Sequence, residues 1–106
     1  MISRPGAANE LREFGRFYVM YNTERNKSPS KLEDLKPYME RDAKTLLEAI
    51  KDGYYVVVWN VRELSSNTLL AYEKTPDGNG DHLVVMGDGS VSKLNDQQLQ
   101  KSLKGQ

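Results

Sequence analysis

Apolar positions set the first prediction. From Ala7 to Asn22 they fall at Ala7, Leu11, Phe14, Tyr18 and Tyr21, with spacings of four, three, four and three, which is the period of one helical face. This predicts an amphipathic helix. Arg12, Glu13 and Arg16 hold its opposite face in the first half, but Val19 and Met20 take over those directions in the second, so that end is apolar nearly all round and calls for a covering surface. Val19 and Met20 are therefore the candidate interaction residues.

Polar residues from Thr23 to Ser28, followed by Pro29, stop this helix. Ser30-Lys31-Leu32-Glu33 has the form of a capping box and predicts a short helical turn through Leu35, closed by Pro37. Asp42 is placed to cap a further helix from Ala43 to Lys51, with Ala43, Leu46, Leu47 and Ile50 as its stripe and Gly53 as its left-handed terminator.

The second half changes character. Tyr54 to Trp59 is β-branched and aromatic throughout and reads as a strand buried on both faces or nearly so. Thr68–Glu73, Leu83–Met86 and Ser90–Leu94 read as three more strands. Thr75 to Asp81 is a loop between two of them, and Asp88-Gly89 predicts a type I′ hairpin turn. Asn95 or Asp96 caps a last short helix carrying Leu99 and Leu103. Helices first and closely linked strands afterwards predict one α+β domain over residues 1–106, with an antiparallel sheet of about four strands. Met1 to Gly6 reads as a frayed leader, so any membrane attachment is expected through a segment absent from this chain.

Composition narrows the chemistry. At 106 residues, roughly two thirds of the unfolded surface can be buried, enough for one core. Fifteen Lys and Arg balance fifteen Asp and Glu, so the basic surplus that nucleic-acid binding requires is missing. There are no cysteines and a single histidine, which leaves neither thiolate chemistry nor a transition-metal ligand set. His82 reads as a solvent-facing residue at a strand start, in preference to a binding or pH-sensing role. Ser90 follows a hairpin turn and is no nucleophile elbow, and Gly78-Asn79-Gly80 feeds a strand where a phosphate cradle would feed a helix. No enzymatic activity is expected, and no cofactor except one candidate. Asp77, Asn79, Asp81 and Asp88 match positions one, three, five and twelve of a Ca²⁺ loop, although His82 replaces the sixth-position glycine. Asp77, Asn79 and Asp81 are thus the candidate metal ligands of a Ca²⁺ or small-ligand module. Trp59 and the tyrosines read as core or rim packing.

Two stretches carry a resemblance. Asn9-Glu10-Leu11-Arg12, the aromatic half-helix through Tyr21-Asn22, and Ser28 to Leu35 with its P-x-x-L-x-D-L form resemble type IV pilins and pseudopilins. Thr68 to Lys74 together with Leu83 to Val91 resembles a bacterial family of exported proteins that carry a prepilin-type or lipoprotein leader and end in a strand with an Asp-Gly turn. The resemblance covers about half the chain, which lacks the hydrophobic first half of a pilin helix. It implies a non-enzymatic pilin-like domain in the cell envelope or periplasm, with an N-terminal helix packed on the sheet and a protein partner or self-assembly as its mode of action. Heads of one pseudopilin group hold calcium in a C-terminal loop, which points to the same loop without assigning a ligand.

Overall fold

A computed structural model describes residues 6–106; the Met1–Pro5 portion of the leader reading lies outside the described residues. The chain runs α1 (Ala7–Arg25), α2 (Leu32–Asp42), α3 (Lys44–Lys51), β1 (Tyr55–Val57), β2 (Leu69–Glu73), β3 (Asp81–Met86), β4 (Val91–Asn95) and α4 (Asp96–Lys104). The strands form one antiparallel sheet in the order β1-β2-β3-β4. The α+β architecture read from the chain is the one observed, with the N-terminal helix on the sheet.

Helix α1 lies across one face of the sheet and carries the core. Leu11, Phe14, Phe17 and Tyr18 are at most 3% exposed and meet Leu35 and Met39 of α2, Leu46 and Leu47 of α3, and Leu70, Ala71 and Val85 of the sheet. At about 1.5–3 kcal/mol for each fully buried large apolar side chain, this cluster outweighs any local propensity in the chain. The helix ends at Arg25, beyond the expected Asn22, because Asn26 adopts the left-handed conformation (φ 56°) that closes it.

Several local expectations gave way to packing. α2 is eleven residues long and contains Pro37, which was expected to end it. An interior proline costs about 3 kcal/mol. Fully burying Leu35 and Met39, one turn apart on the core side, offsets that. The Ser30–Glu33 box is replaced by a contact one residue along: the Ser30 amide and hydroxyl both donate to Asp34, at 2.9 and 3.1 Å. With Lys31 at the helix boundary, the third helical position falls on Asp34, not Glu33. Asp42 closes α2, and Ala43 stands before α3 in the place expected of Asp42. Gly53 takes positive φ (85°) after α3, as expected.

β1 is only three residues long and lies at the sheet edge, with Tyr54 52% exposed, so the doubly buried strand expected from Tyr54 to Trp59 does not form. The backbone beyond β1 is claimed from outside the sheet. The Tyr18 hydroxyl donates to the Val58 carbonyl (2.8 Å) and accepts from the Val61 amide (3.3 Å), while Ser28 donates to the Val61 carbonyl (2.5 Å).

On β2, Leu69 pairs with Met86 but Ala71 with Val85, so one extra residue bulges there. The bulge turns Leu69 to the second face, where it forms a small cluster with Val84 and with Leu99 of α4, while Leu70 and Ala71 face α1. The hairpin between β3 and β4 turns over four residues, Gly87 to Ser90, with Gly89 N–H on the Met86 carbonyl (2.9 Å) and Met86 N–H on the Ser90 carbonyl (2.8 Å). Only Gly89 has positive φ (87°), so the turn is not type I′, which needs two such residues. Gly87 is instead held down against the neighbouring loop, its amide donating to Thr68 at 2.7 Å.

Gly15 sets the spacing of helix and sheet, since a Cβ there would stand 2.7 Å from Val85 Cγ2. Alanine in a helix interior normally gains about 0.5–1 kcal/mol over glycine. Val85 is stiff at χ1 and wholly buried, so the clash, worth about 1–3 kcal/mol, wins. Gly15→Ala is expected to lower the unfolding free energy, whereas Gly78→Ala, in open space, changes it by less than about 0.5 kcal/mol; urea denaturation of the two variants measures both.

Candidate functional site

Three places carry the chemistry of this molecule, and the first is a groove beside α1. Its walls are Arg12, Glu13, Arg16, Val19 and Met20 from the helix and Asp88 from the β3–β4 loop, and its volume is about 610 Å³. The groove exists because Gly15 and Gly89 present no side chains where helix and loop meet. Met20 is 37% exposed and Val19 half-buried, so both candidate interaction residues lie together on its rim. Arg16 approaches Glu13 at 3.9 Å, Arg12 donates to Asn9 Oδ1 at 3.0 Å, and Asp88 accepts from the Ser90 amide and hydroxyl. The two cations and two anions thus surround an apolar strip.

The second is the loop from Pro76 to Asp81. Asp77 Oδ1 accepts from the amides of Asn79 (2.8 Å) and Asp81 (3.0 Å), and Oδ2 accepts from Lys93 Nζ at 3.2 Å. These bonds hold the carboxyl below its ordinary 3.8, the Asp81 and Asn79 amides first, then Lys93. Among the described residues, no group of three or more His, Cys, Asp or Glu is arranged to hold a metal ion. Asp77 and Asn79 lie in this loop and Asp81 opens β3, and the geometry there is that of a side chain organising its own turn.

The third was misread from the chain. His82 is 4% exposed, not solvent-facing, because β3 begins at Asp81 and sets His82 in the ladder opposite Leu94, on the face that α4 covers. Its Nδ1 lies 2.8 Å from the Glu73 carbonyl and its Nε2 lies 2.5 Å from Asp96 Oδ1, with the Tyr72 ring edge-on at 6.2 Å. A carbonyl and an ionised carboxylate only accept, so satisfying both requires two N–H groups, the imidazolium. Burial pulls the pKa down, but the Glu73 carbonyl and the Asp96 carboxylate more than compensate and leave it above 6.5. The buried Glu73 carboxylate adds negative charge nearby and accepts from the Leu83 amide at 3.1 Å. The legible signal was the alternation His82, Val84, Met86, a period of two that starts one residue before the apolar run.

His82 does stand within hydrogen-bond reach of a carboxylate. Both its nitrogens are already committed, however, and it lines neither the α1 groove nor the one of about 690 Å³ between Trp59, Arg62 and Leu103. No protein-family model, curated protein or solved structure matches the chain. No helix among the described residues is long and apolar enough to cross a membrane.

The Asp77 bonds carry a pH dependence of known sign. A carboxyl held below 3.8 contributes stability that is present above that value and lost as pH falls through the lower, folded-state midpoint. Carbon-13 NMR of the Asp77 carboxyl is expected to give a midpoint below 3.8, and Lys93→Met to raise it only in part, because the two amides remain.

Proposed function

We propose that this chain is a non-enzymatic, envelope-associated pilin-like domain that works through protein–protein contacts, with the α1 groove as its contact surface and a second copy as the occupant. The observation that carries the reading is Met20, a large apolar side chain 37% exposed beside the half-buried Val19 at the rim of a groove. A lone exposed apolar residue is ordinary on any surface. Here two sit side by side where a helix and a hairpin loop leave a concavity.

The charge pattern favours self-association. Arg12 and Arg16 face the same groove as Glu13 and Asp88, so the surface carries both signs around an apolar centre and complements itself when two copies meet about a two-fold axis. The zero net charge removes long-range repulsion between copies. The groove is lined by nine residues, fewer than the roughly 20–30 a side of a stable interface, so the contact is weak and concentration-dependent. Support for the export reading comes from the motif resemblance together with a helix laid on an antiparallel meander.

Sedimentation velocity over a concentration series is the test. Self-association that weakens with added salt is expected, and Met20→Asp is expected to weaken it about ten-fold or more, as the loss of about 1.4 kcal/mol of contact would. A wild-type chain that stays monomeric at millimolar concentration would sink the contact surface. Fractionation of the native host speaks to location separately, since recovery solely from the cytosol would remove the envelope assignment.

A further inference from the structure

The buried histidine joins elements that nothing else ties together in the same way. His82 belongs to β3, the carbonyl on its Nδ1 to β2, and the carboxylate on its Nε2 to the first residue of α4. α4 otherwise rests on Leu99, 2% exposed against Leu69 and Val84, and on the Gln106 side chain, which pairs with the backbone of Leu69 at 2.6 and 3.2 Å. Its cap joins it to the sheet along the backbone: Asn95, which exchanges hydrogen bonds with Gln98, is also the last residue of β4 and pairs with Asp81. The His82–Asp96 contact adds a side-chain tie between the first residue of α4 and β3.

The two partners of the ring differ in what they can do without it. The Glu73 carbonyl is at a buried position, where an unmade bond costs about 1–3 kcal/mol. Asp96 has a side chain 75% exposed and can turn to water at little cost. A ring that loses one proton thus keeps Nδ1–H on Glu73, and its Nε2 lone pair then faces a carboxylate oxygen at 2.5 Å. Two acceptors at that distance repel. The relief available is for the exposed Asp96 side chain to turn out to water, which removes its hold on the first turn of α4.

We propose that His82 is a proton-operated latch on the first turn of α4: the charged ring holds Asp96 against the sheet, and the neutral ring releases it and loosens that turn over Leu99, while Leu99, Leu103 and Gln106 keep the helix docked. The titratable or charged groups around the ring are Glu73 and Tyr72 from β2 and Asp96 from α4, while β4 contributes Leu94. Because the ring's folded-state pKa lies above 6.5, its stabilising contribution is complete below 6.5 and fades as pH rises through the folded-state value. Acid closes the latch and alkali opens it. The turn that loosens lies over the small cluster under α4, on the face of the sheet away from the α1 groove.

One histidine in the chain makes the experiment direct. NMR of the full chain from pH 5.5 to 9 follows the His82 ring protons together with the Leu99 and Val84 methyl resonances. The expected result is a single midpoint above 6.5 shared by ring and methyls. Asp96→Ala, at an exposed position, removes the acceptor and is expected to move the ring midpoint down and to give at acid pH the Leu99 environment that the wild type shows in alkali. His82→Gln is expected to abolish the pH dependence of the methyls; if that variant does not fold, Asp96→Ala decides alone. Leu99 methyls that stay fixed while the ring titrates would overturn the proposal, as would a ring that does not titrate in this range or methyls of Asp96→Ala that match the wild type at every pH.

Discussion

Contact between α1 and β3 is the constraint on which the other elements depend. Gly15 lets the helix come within a methyl group's distance of Val85, and Tyr18, one turn on and wholly buried, pushes its hydroxyl through the layer to the Val58 carbonyl and the Val61 amide. Close packing is what makes this decisive, because a core at crystal-like density transmits a displacement at one contact to its neighbours. α2 and α3 then pack on the side of α1 that the sheet leaves open, and Leu35, Met39, Leu46 and Leu47 complete one cluster.

The same contact explains the edge of the sheet. A β-branched run as long as Tyr54 to Trp59 would continue pairing with β2 if its backbone were free. Val58 does donate to the Leu70 carbonyl, but its own carbonyl accepts from Tyr18, and Asn60 donates to Pro29. The chain bends away there, with Asn60 at positive φ (58°), and the vacated backbone of Leu69 is met by the Gln106 amide instead of a strand. Hydrogen-bonding capacity is conserved while its partners change, and no buried side-chain polar atom among the described residues is left without one.

Legibility followed the range of the interaction. The α1 stripe, the left-handed Gly53, the Asn95 cap and the order of four strands depend on residues within a turn or a hairpin of each other, and they were readable. Val19 and Met20 stood out because their apolar character broke the helix's own pattern. Asp77 also stood out, but spacing alone could not separate a carboxylate that binds a cation from one that binds its own loop. His82 was missed because its environment is assembled from Glu73, Leu94 and Asp96, nine to fourteen residues away, with a strand boundary off by two residues to hide it.

By itself, the amino-acid sequence determined the order of four helical and four extended segments, that the strands are antiparallel neighbours, and that there is no cysteine for thiolate chemistry; periodicity, turn residues and composition are local quantities and act wherever the chain goes. Only the tertiary structure decided that Pro37 lies inside a helix, that β1 stops after three residues, that Asp34 replaces Glu33 at the start of α2, and that the single histidine is buried between a carbonyl and a carboxylate that raise its pKa above 6.5. Each of those outcomes sets a local preference of a few kcal/mol against burial or a hydrogen bond supplied from elsewhere in the chain, and that partner exists only once α1, the sheet and α4 are in place.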